Sequence, residues 1–354
     1  MSTKHIPEII MLGTSLESKG GIASVVGIYQ KNDFFKQNKI KYIETHKTEG
    51  AADKVTVLIK AILIFISAIL RYKIKIVHIH SASYSSFFRK SIFIVICRLF
   101  SIPYIFHLHG GGFLDFYSNG SRLLQKWICY VLKKARTIIL INSTWEDRIF
   151  EISNNDSIIF IPNAADVEEL PALPGRTNRN LLFLGDINEN KGVYDLLRSL
   201  VKVVNDYPDA KLIVAGTGEI EKAKSLCEEL KITANVEFPG WVSGDKKKDL
   251  LIKSDIFLLP SYYENIPVSL LEAMAYKITP VVSNVGGMPD VVDEASGIVM
   301  SPGNINELTQ ALSTLLANTQ NSKKLGENAR KRVIDKFSPQ KILPQINSIY
   351  AAIN

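Results

Sequence analysis

The sequence predicts an α/β protein built as two Rossmann-like lobes facing each other across a cleft. Three observations carry this expectation. At 354 residues the chain exceeds the roughly 100 to 200 residues of one typical domain. Short apolar runs alternate with longer helical patterns, and runs apolar on both faces, such as IIML and TIILI, are what a parallel sheet covered on both sides requires. After Ile161 the stretch PNAADVEELPALPGRTNRN holds three prolines and a glycine and reads as an interdomain linker. Domains of 1–165 and 166–339 follow, with 340–354 left as a terminal segment.

In order, the first lobe's strands are expected at Glu8 to Leu12, Ile40 to Glu44, Ile74 to His80, Tyr104 to Leu108, Thr137 to Ile141 and Ile158 to Ile161. Helical spacing falls on Gly21 to Lys36, Lys54 to Arg71, Ser86 to Phe100 and Ser121 to Lys134. Alternation then restarts. Strands at Leu181 to Leu184, Lys211 to Ala215, Val236 to Phe238, Ile256 to Leu259 and Pro280 to Ser283 are separated by helices near Val193 to Val204, Ile220 to Leu230, Asp245 to Lys253, Val268 to Tyr276 and Met288 to Asp293.

Composition narrows the function. With 46% hydrophobic and 22% charged residues the chain is globular rather than disordered. Its three cysteines, Cys97, Cys129 and Cys227, form no CxxC pair, which argues against a disulfide framework and favours a reducing cytoplasm. Residues 1–160 hold 21 Lys/Arg against 11 Asp/Glu, whereas the remainder holds 21 against 24. The first lobe should therefore meet an anionic partner, a membrane surface or a phosphorylated substrate. Nucleic acid is not expected, because the basic residues are scattered and no nucleic-acid motif accompanies them. Val55 to Leu70 would span ~24 Å as a helix, short of a ~30 Å hydrocarbon core, and Lys60 interrupts it. A buried core helix is favoured over insertion. The opening MSTKHIPEIIMLG has no long apolar region of a signal peptide, so a cytoplasmic protein is expected, with peripheral contact to the inner membrane face left open.

Ligands of such sheets sit beyond the carboxyl ends of the strands. After the first strand, Gly20 and Gly21 open a helix whose free N–H groups suit a phosphate, although a tight structural turn fits equally well. All six histidines, His5, His46, His78, His80, His107 and His109, lie in the first lobe, and four form two His-x-His pairs. Such pairs could grip a metal, but no carboxylate is spaced with them, and no metal is expected. His109 precedes Gly110, Gly111 and Gly112, which should leave its ring open to the cleft. In the second lobe Lys191 and Gly192 start a helix after a strand, where a lysine could neutralise a diphosphate. In SDIFLLPSYYENIPVSLLEAMA, Pro267 suits the first helical turn, so Glu264 falls in the loop before it and Glu272 in the second turn. Gly286 and Gly287 supply another glycine turn between strand and helix.

Taken together, GGIASVV, HLHGGGF, INSTWE, IPNAAD, FLGDINENKG, AGTGE, FPGW, the E-x7-E pair and VGGMPD resemble the retaining glycosyltransferases of family 4, with the GT-B fold, over nearly the whole chain. VHIHSAS, the following RK pair and HLHGGGF look most like enzymes of bacterial capsule, exopolysaccharide or O-antigen synthesis. The resemblance implies that Glu264 contacts hydroxyls of the donor sugar and Glu272 the nucleotide ribose. It implies that backbone groups around Asn265, Ile266 and Val268 approach sugar and phosphates, that Lys191 binds the diphosphate, and that the Gly20/Gly21 turn closes on it. His109 matches the family histidine near the donor sugar, and Trp241 lies where a base-binding wall is expected, though a packed tryptophan fits as well. It further implies a last helix that leaves the second lobe and packs on the first; Ser338-Pro339 breaks the pattern there, and Ile342, Ile346, Ile349 and Ile353 follow at helical spacing.

One departure matters. Where many members have an arginine ahead of the lysine, this chain has Asp186, which must point away, accept a hydroxyl or be compensated. The implied reaction moves a sugar from a nucleoside-diphosphate sugar to a saccharide or lipid-linked acceptor without a cofactor. No Asp-x-Asp motif stands at a plausible strand end, so metal independence is expected, with Lys191 and helix N-termini stabilising the leaving diphosphate. A nucleotide-sugar epimerase or hydrolase on the same fold, and a non-catalytic binding protein, are the alternatives.

Overall fold

The computed structural model describes residues 6–18, 20–47, 51–170 and 177–352. The chain divides into two units, 1–164 with 339–354, and 165–338.

In the first unit, β1 (Ile9–Gly13), β2 (Ile40–Glu44), β3 (Ile76–Ser81), β4 (Tyr104–Leu108), β5 (Thr137–Leu140) and β6 (Ile158–Phe160) form one sheet in the order β2-β1-β3-β4-β5-β6. Every pairing is parallel. All residues of β1, β3, β4 and β5 are buried, the physical reason β1 and β5 read as apolar runs and the histidines of β3 and β4 are enclosed. The core gathers Phe65, Phe93, Phe106 and Phe113 between sheet and helices.

Two helical expectations are corrected. The single helix expected over Gly21 to Lys36 is two, Gly21–Lys31 and Phe34–Gln37, because Asp33 takes a left-handed conformation at φ 55°, which a short polar side chain tolerates better than most. The apolar segment lies in helix Ala51–Arg71, but it is not a core helix. Ala61, Phe65 and Ala68 are buried, whereas Val55, Ile59, Leu63 and Leu70 are each more than half exposed. The sheet can cover only one side of a helix, so the other side stays open. Among the described residues no helix is long and apolar enough to cross a membrane.

The second unit repeats the architecture. β7 (Asn180–Leu184), β8 (Lys211–Ala215), β9 (Val236–Glu237), β10 (Ile256–Leu259), β11 (Thr279–Ser283) and β12 (Ile298–Met300) pair in the order β12-β11-β10-β7-β8-β9, again all parallel. Helices Val193–Asp206 and Val268–Ala275 follow β7 and β10 and carry the loops discussed below.

The last helix, Pro339–Ala351, belongs to the first unit. Ile342, Ile346 and Ile349 are buried, and Tyr350 Oη lies 2.6 Å from His78 Nδ1. Ile353, and the linker prolines Pro171 and Pro174, lie outside the described residues. The beginning of the linker is not an exposed tether, because residues 161–165 are all buried.

Both strand orders contain one reversal, between β1 and β3 and between β10 and β7. Adjacent strands there send their following loops to opposite sides, which opens a crevice at the carboxyl edge.

Candidate active site

The reversal point of the second sheet brings together the loops after β7 and β10. After β7 the chain makes one 3₁₀ turn, Glu189–Lys191, in which Asn188 Oδ1 accepts from Lys191 N at 3.0 Å. Gly192 then takes φ 68°, and a Cβ there would lie 2.0 Å from Pro260 O. Only glycine allows the two loops to approach this closely. Helix Val193–Asp206 starts at that point with no side-chain cap, leaving its first N–H groups to other acceptors.

After β10, Glu264 reaches back to the first loop. Its Oε1 accepts from Lys191 Nζ at 2.5 Å and from Ser261 Oγ at 3.1 Å. The two side chains of the ion pair are 25% and 10% exposed, so the pair is sheltered yet reachable. Pro267 stands just before helix Val268–Ala275 and makes no side-chain cap, and the first turn holds no acidic residue. Its positive end is therefore not neutralised locally. Asn265, Ile266 and Val268 are buried in this turn. Glu272, one turn further along, pairs with Lys247 at 2.6 Å. Lys247 was missed in the sequence because it sits in a run of lysines with the look of a solvated face.

The second glycine turn completes this side. Gly286 has φ 55°, and its Cβ would meet Glu264 O at 1.9 Å; Gly287 N donates to Asn265 O at 3.1 Å. The turn after β11 thus braces the loop that carries Glu264. Trp241 is 40% exposed after the Gly240 turn. Asp186 takes the second of its three options, since Oδ1 accepts from Thr217 Oγ1 at 3.0 Å. Beside Gly192 a cavity of about 620 Å³ opens between Asn190, Tyr194, Asp195 and Tyr262. Neither Lys191 nor Glu264 lines it; the strand-end convergence, with its ion pair and open helix ends, is the better place for chemistry.

In the first unit Gly20, at φ 136°, and Gly21 stand exposed at the start of helix Gly21–Lys31, as the sequence implied. The histidines differ from expectation. The register of β3 on β4 sets His80 opposite His107, and the rings bond across strands rather than acting as pincers along one. His78 Nε2 lies 3.0 Å from His107 Nδ1, and His80 Nδ1 lies 2.8 Å from His109 Nε2. His109 is therefore only half-exposed and held by His80; the three glycines do not leave its ring free. His78, His80 and His107 bring one ring nitrogen each within 4.8 Å of the others. Both nitrogens of His78 and one nitrogen each of His80 and His107 are engaged with Tyr350 or a neighbouring ring, whereas His80 Nε2 and His107 Nε2 have no partner among the described residues. No carboxylate joins the group, so it reads as a stack of neutral imidazoles. Burial, reinforced by the mutual repulsion of the rings, pushes His78 down to about 3 and His80 and His107 well below the ordinary histidine range. Burial alone pushes His109 down to about 3.

Residues 171–332 match the family described as glycosyl transferases group 1. The second unit is a group 1 glycosyltransferase domain. The transferase shares 26% identity over 276 residues with an uncharacterized glycosyltransferase of Methanocaldococcus jannaschii, covering 72% of this chain and 70% of that one. It shares 31% over 172 residues with N-acetyl-alpha-D-glucosaminyl L-malate synthase of Bacillus anthracis, covering 48% of this chain and 44% of that enzyme. Among solved structures, the glycosyltransferase superposes on sucrose-phosphate synthase from Thermosynechococcus elongatus with a TM-score of 0.79 at 17% identity, covering 98% and 99% of the two chains. An Anabaena protein solved with UDP and glucose gives 0.75 at 14% identity, over 97% and 99%. These likenesses establish the GT-B fold.

Proposed function

We propose that this glycosyltransferase is a retaining enzyme that moves a sugar from a nucleoside-diphosphate sugar to a saccharide acceptor, lipid-linked, in bacterial surface polysaccharide synthesis. The observation that carries the reading is the convergence of Lys191 and Glu264, 2.5 Å apart, at the reversal point of the second sheet between two uncapped helix N-termini. A diphosphate is a stronger anion than one carboxylate, so it displaces Glu264 from Lys191 and leaves the glutamate to accept from the sugar hydroxyls. Helix N–H groups and the lysine then hold the charge that grows on the leaving diphosphate. Glu272, steadied by Lys247, takes the ribose, and Trp241 the base. The solved Anabaena relative, which holds UDP and glucose, supports a donor of this class.

The charge-stabilising groups are all side chains and helix ends, so the reaction proceeds without a metal. Activity surviving EDTA is the expected result. Loss restored by Mn²⁺ or Zn²⁺ would overturn it and turn attention to the histidine stack. The enzyme works in the cytoplasm, in peripheral contact with an anionic membrane through its basic first unit. The transfer reading itself is tested by incubating the protein with labelled nucleotide sugar, with and without membrane lipid. Label entering lipid supports transfer, whereas release of free sugar alone overturns it in favour of hydrolysis.

A further inference from the structure

The first sheet has a reversal point of its own, between β1 and β3, and buried polar atoms collect beside it without partners. Ser15 Oγ and Ser18 Oγ lie on the loop after β1, His46 Nδ1 on the loop after β2, and Arg89 Nε on helix Ser85–Leu99 after β3. None of the four has a hydrogen-bond partner among the described residues. The two loops are tied directly, since Ser15 N donates to His46 O at 2.8 Å. Lys90, next to Arg89, is 1% exposed and donates to Thr45 Oγ1 and, at 3.5 Å, to Gly13 O. Both partners are neutral. After burial, the charges of Arg89, Lys54 and Lys90 hold His46 down to about 4. Two carboxylates stand at these loops: Glu44 accepts from Leu16 N at 3.3 Å, and the exposed Glu17 lies 3.5 Å from Lys47 Nζ.

Leaving one buried polar group unsatisfied costs about 1–3 kcal/mol, and four at one strand-end crevice amount to a large destabilisation unless a ligand completes them. The ligand must offer several acceptors and negative charge. A guanidinium from the helix after β3, two hydroxyls from the loop after β1 and an imidazole from the loop after β2 suit the tetrahedral oxygens of a phosphoryl group better than the two coplanar oxygens of a carboxylate.

We propose that Ser15, Ser18, His46 and Arg89 form a phosphoryl-binding subsite, which holds the phosphate or diphosphate carried by the sugar acceptor. That the phosphoryl group is the acceptor's rests on the transfer reading above; the subsite itself does not.

Calorimetric titration of the full chain with inorganic phosphate and with pyrophosphate tests the subsite. Saturable binding is expected, weakened about tenfold by Arg89→Met and about threefold by Ser15→Ala. Arg89→Lys, which keeps the charge without the fork, should fall between wild type and Arg89→Met. Lys191→Ala should remove any binding at the donor site and leave the component that Arg89→Met weakens, so failure of the donor reading and failure of the subsite are separable. No saturable binding by wild type, or Arg89→Met binding phosphate as wild type does, overturns the proposal. So does loss of all phosphate binding in Lys191→Ala. Competition then distinguishes the source. A soluble sugar phosphate or a dispersed short-chain lipid diphosphate should displace phosphate from wild type, and failure of both to do so overturns the assignment to an acceptor.

Discussion

Lys191 and Glu264 show how a single ion pair can serve both fold and chemistry. At 25% and 10% exposure the pair is screened by water on one side and contributes on the order of 1 kcal/mol to stability. Lys191→Ala and Glu264→Gln should therefore fold, with melting temperatures a few degrees from wild type by calorimetry. Transfer should fall about 100-fold or more in each, in Lys191→Ala because a group that stabilises the leaving charge is lost and in Glu264→Gln because a carboxylate that orients the sugar is lost. Near wild-type turnover in either variant would remove these residues from the donor site. Gly286 makes the opposite prediction. At φ 55°, with Glu264 O only 1.9 Å from a new Cβ, Gly286→Ala must push away the loop that carries Glu264. Stability should drop by about 2 kcal/mol or more in denaturant melts, and donor affinity should fall with it.

At the scale of elements, the histidine stack of β3 and β4 couples the first sheet to pH. Ordinary histidine takes up a proton near 6.5, whereas burial holds His78 and His109 at about 3 and His80 and His107 well below the ordinary range. As pH falls through the window from about 6.5 towards 3, the unfolded chain binds protons that the folded chain refuses, so stability is present above the window and lost within it. Melting temperature should decline steadily below pH 6.5. His107→Gln should flatten that decline by up to one proton, about 1.4 kcal/mol per pH unit, and an unchanged slope would show that His107 is protonated in the fold.

The same elements show what was legible in the sequence. β2, β4, β8 and β10 fall within the expected bounds; β10 does so because a strand buried on both faces leaves an unbroken apolar run between turn residues, and β4, equally buried, is broken only by His107. β12, three residues long and only partly buried, leaves too short a run to stand out. Lys191 and Glu264 were expected on the loops after two strands, but their pairing with each other was not. Nor was the cross-strand bonding of His80 to His109, because i, i+2 spacing fixes which face a ring points to and says nothing of the neighbouring strand's register. The unpartnered Ser15 and Arg89 were equally silent, since an unsatisfied atom is a property of the folded surroundings.

For the molecule as a whole, the uneven charge finds its counterpart in an uneven surface. The positive excess lies entirely in the first unit, 21 Lys/Arg against 11 Asp/Glu over residues 1–160, and that unit also exposes two rows of apolar side chains. Val55, Ile59 and Leu63 run along helix Ala51–Arg71; Phe88, Ile92, Val95 and Leu99 run along Ser85–Leu99. Spacings of three and four place each row on one helix face. The two helices pack together through Phe65 and Phe93, whose ring centroids are 5.2 Å apart. Lys54, Lys60 and Arg98 stand on the same helices. Apolar rows set among bases are the composition of a surface that rests on anionic lipid, where each base contributes about 1 kcal/mol. The protein should float with anionic vesicles and not with neutral ones at low salt, and salt should release it as the Debye length contracts. Ile59→Asp with Ile92→Asp, both on exposed positions, should abolish flotation while leaving the melting temperature near wild type, because neither residue packs in the core. Flotation that survives the double substitution would assign the attraction to charge alone, and no flotation with anionic vesicles at low salt would leave the basic excess to the phosphoryl subsite around Arg89.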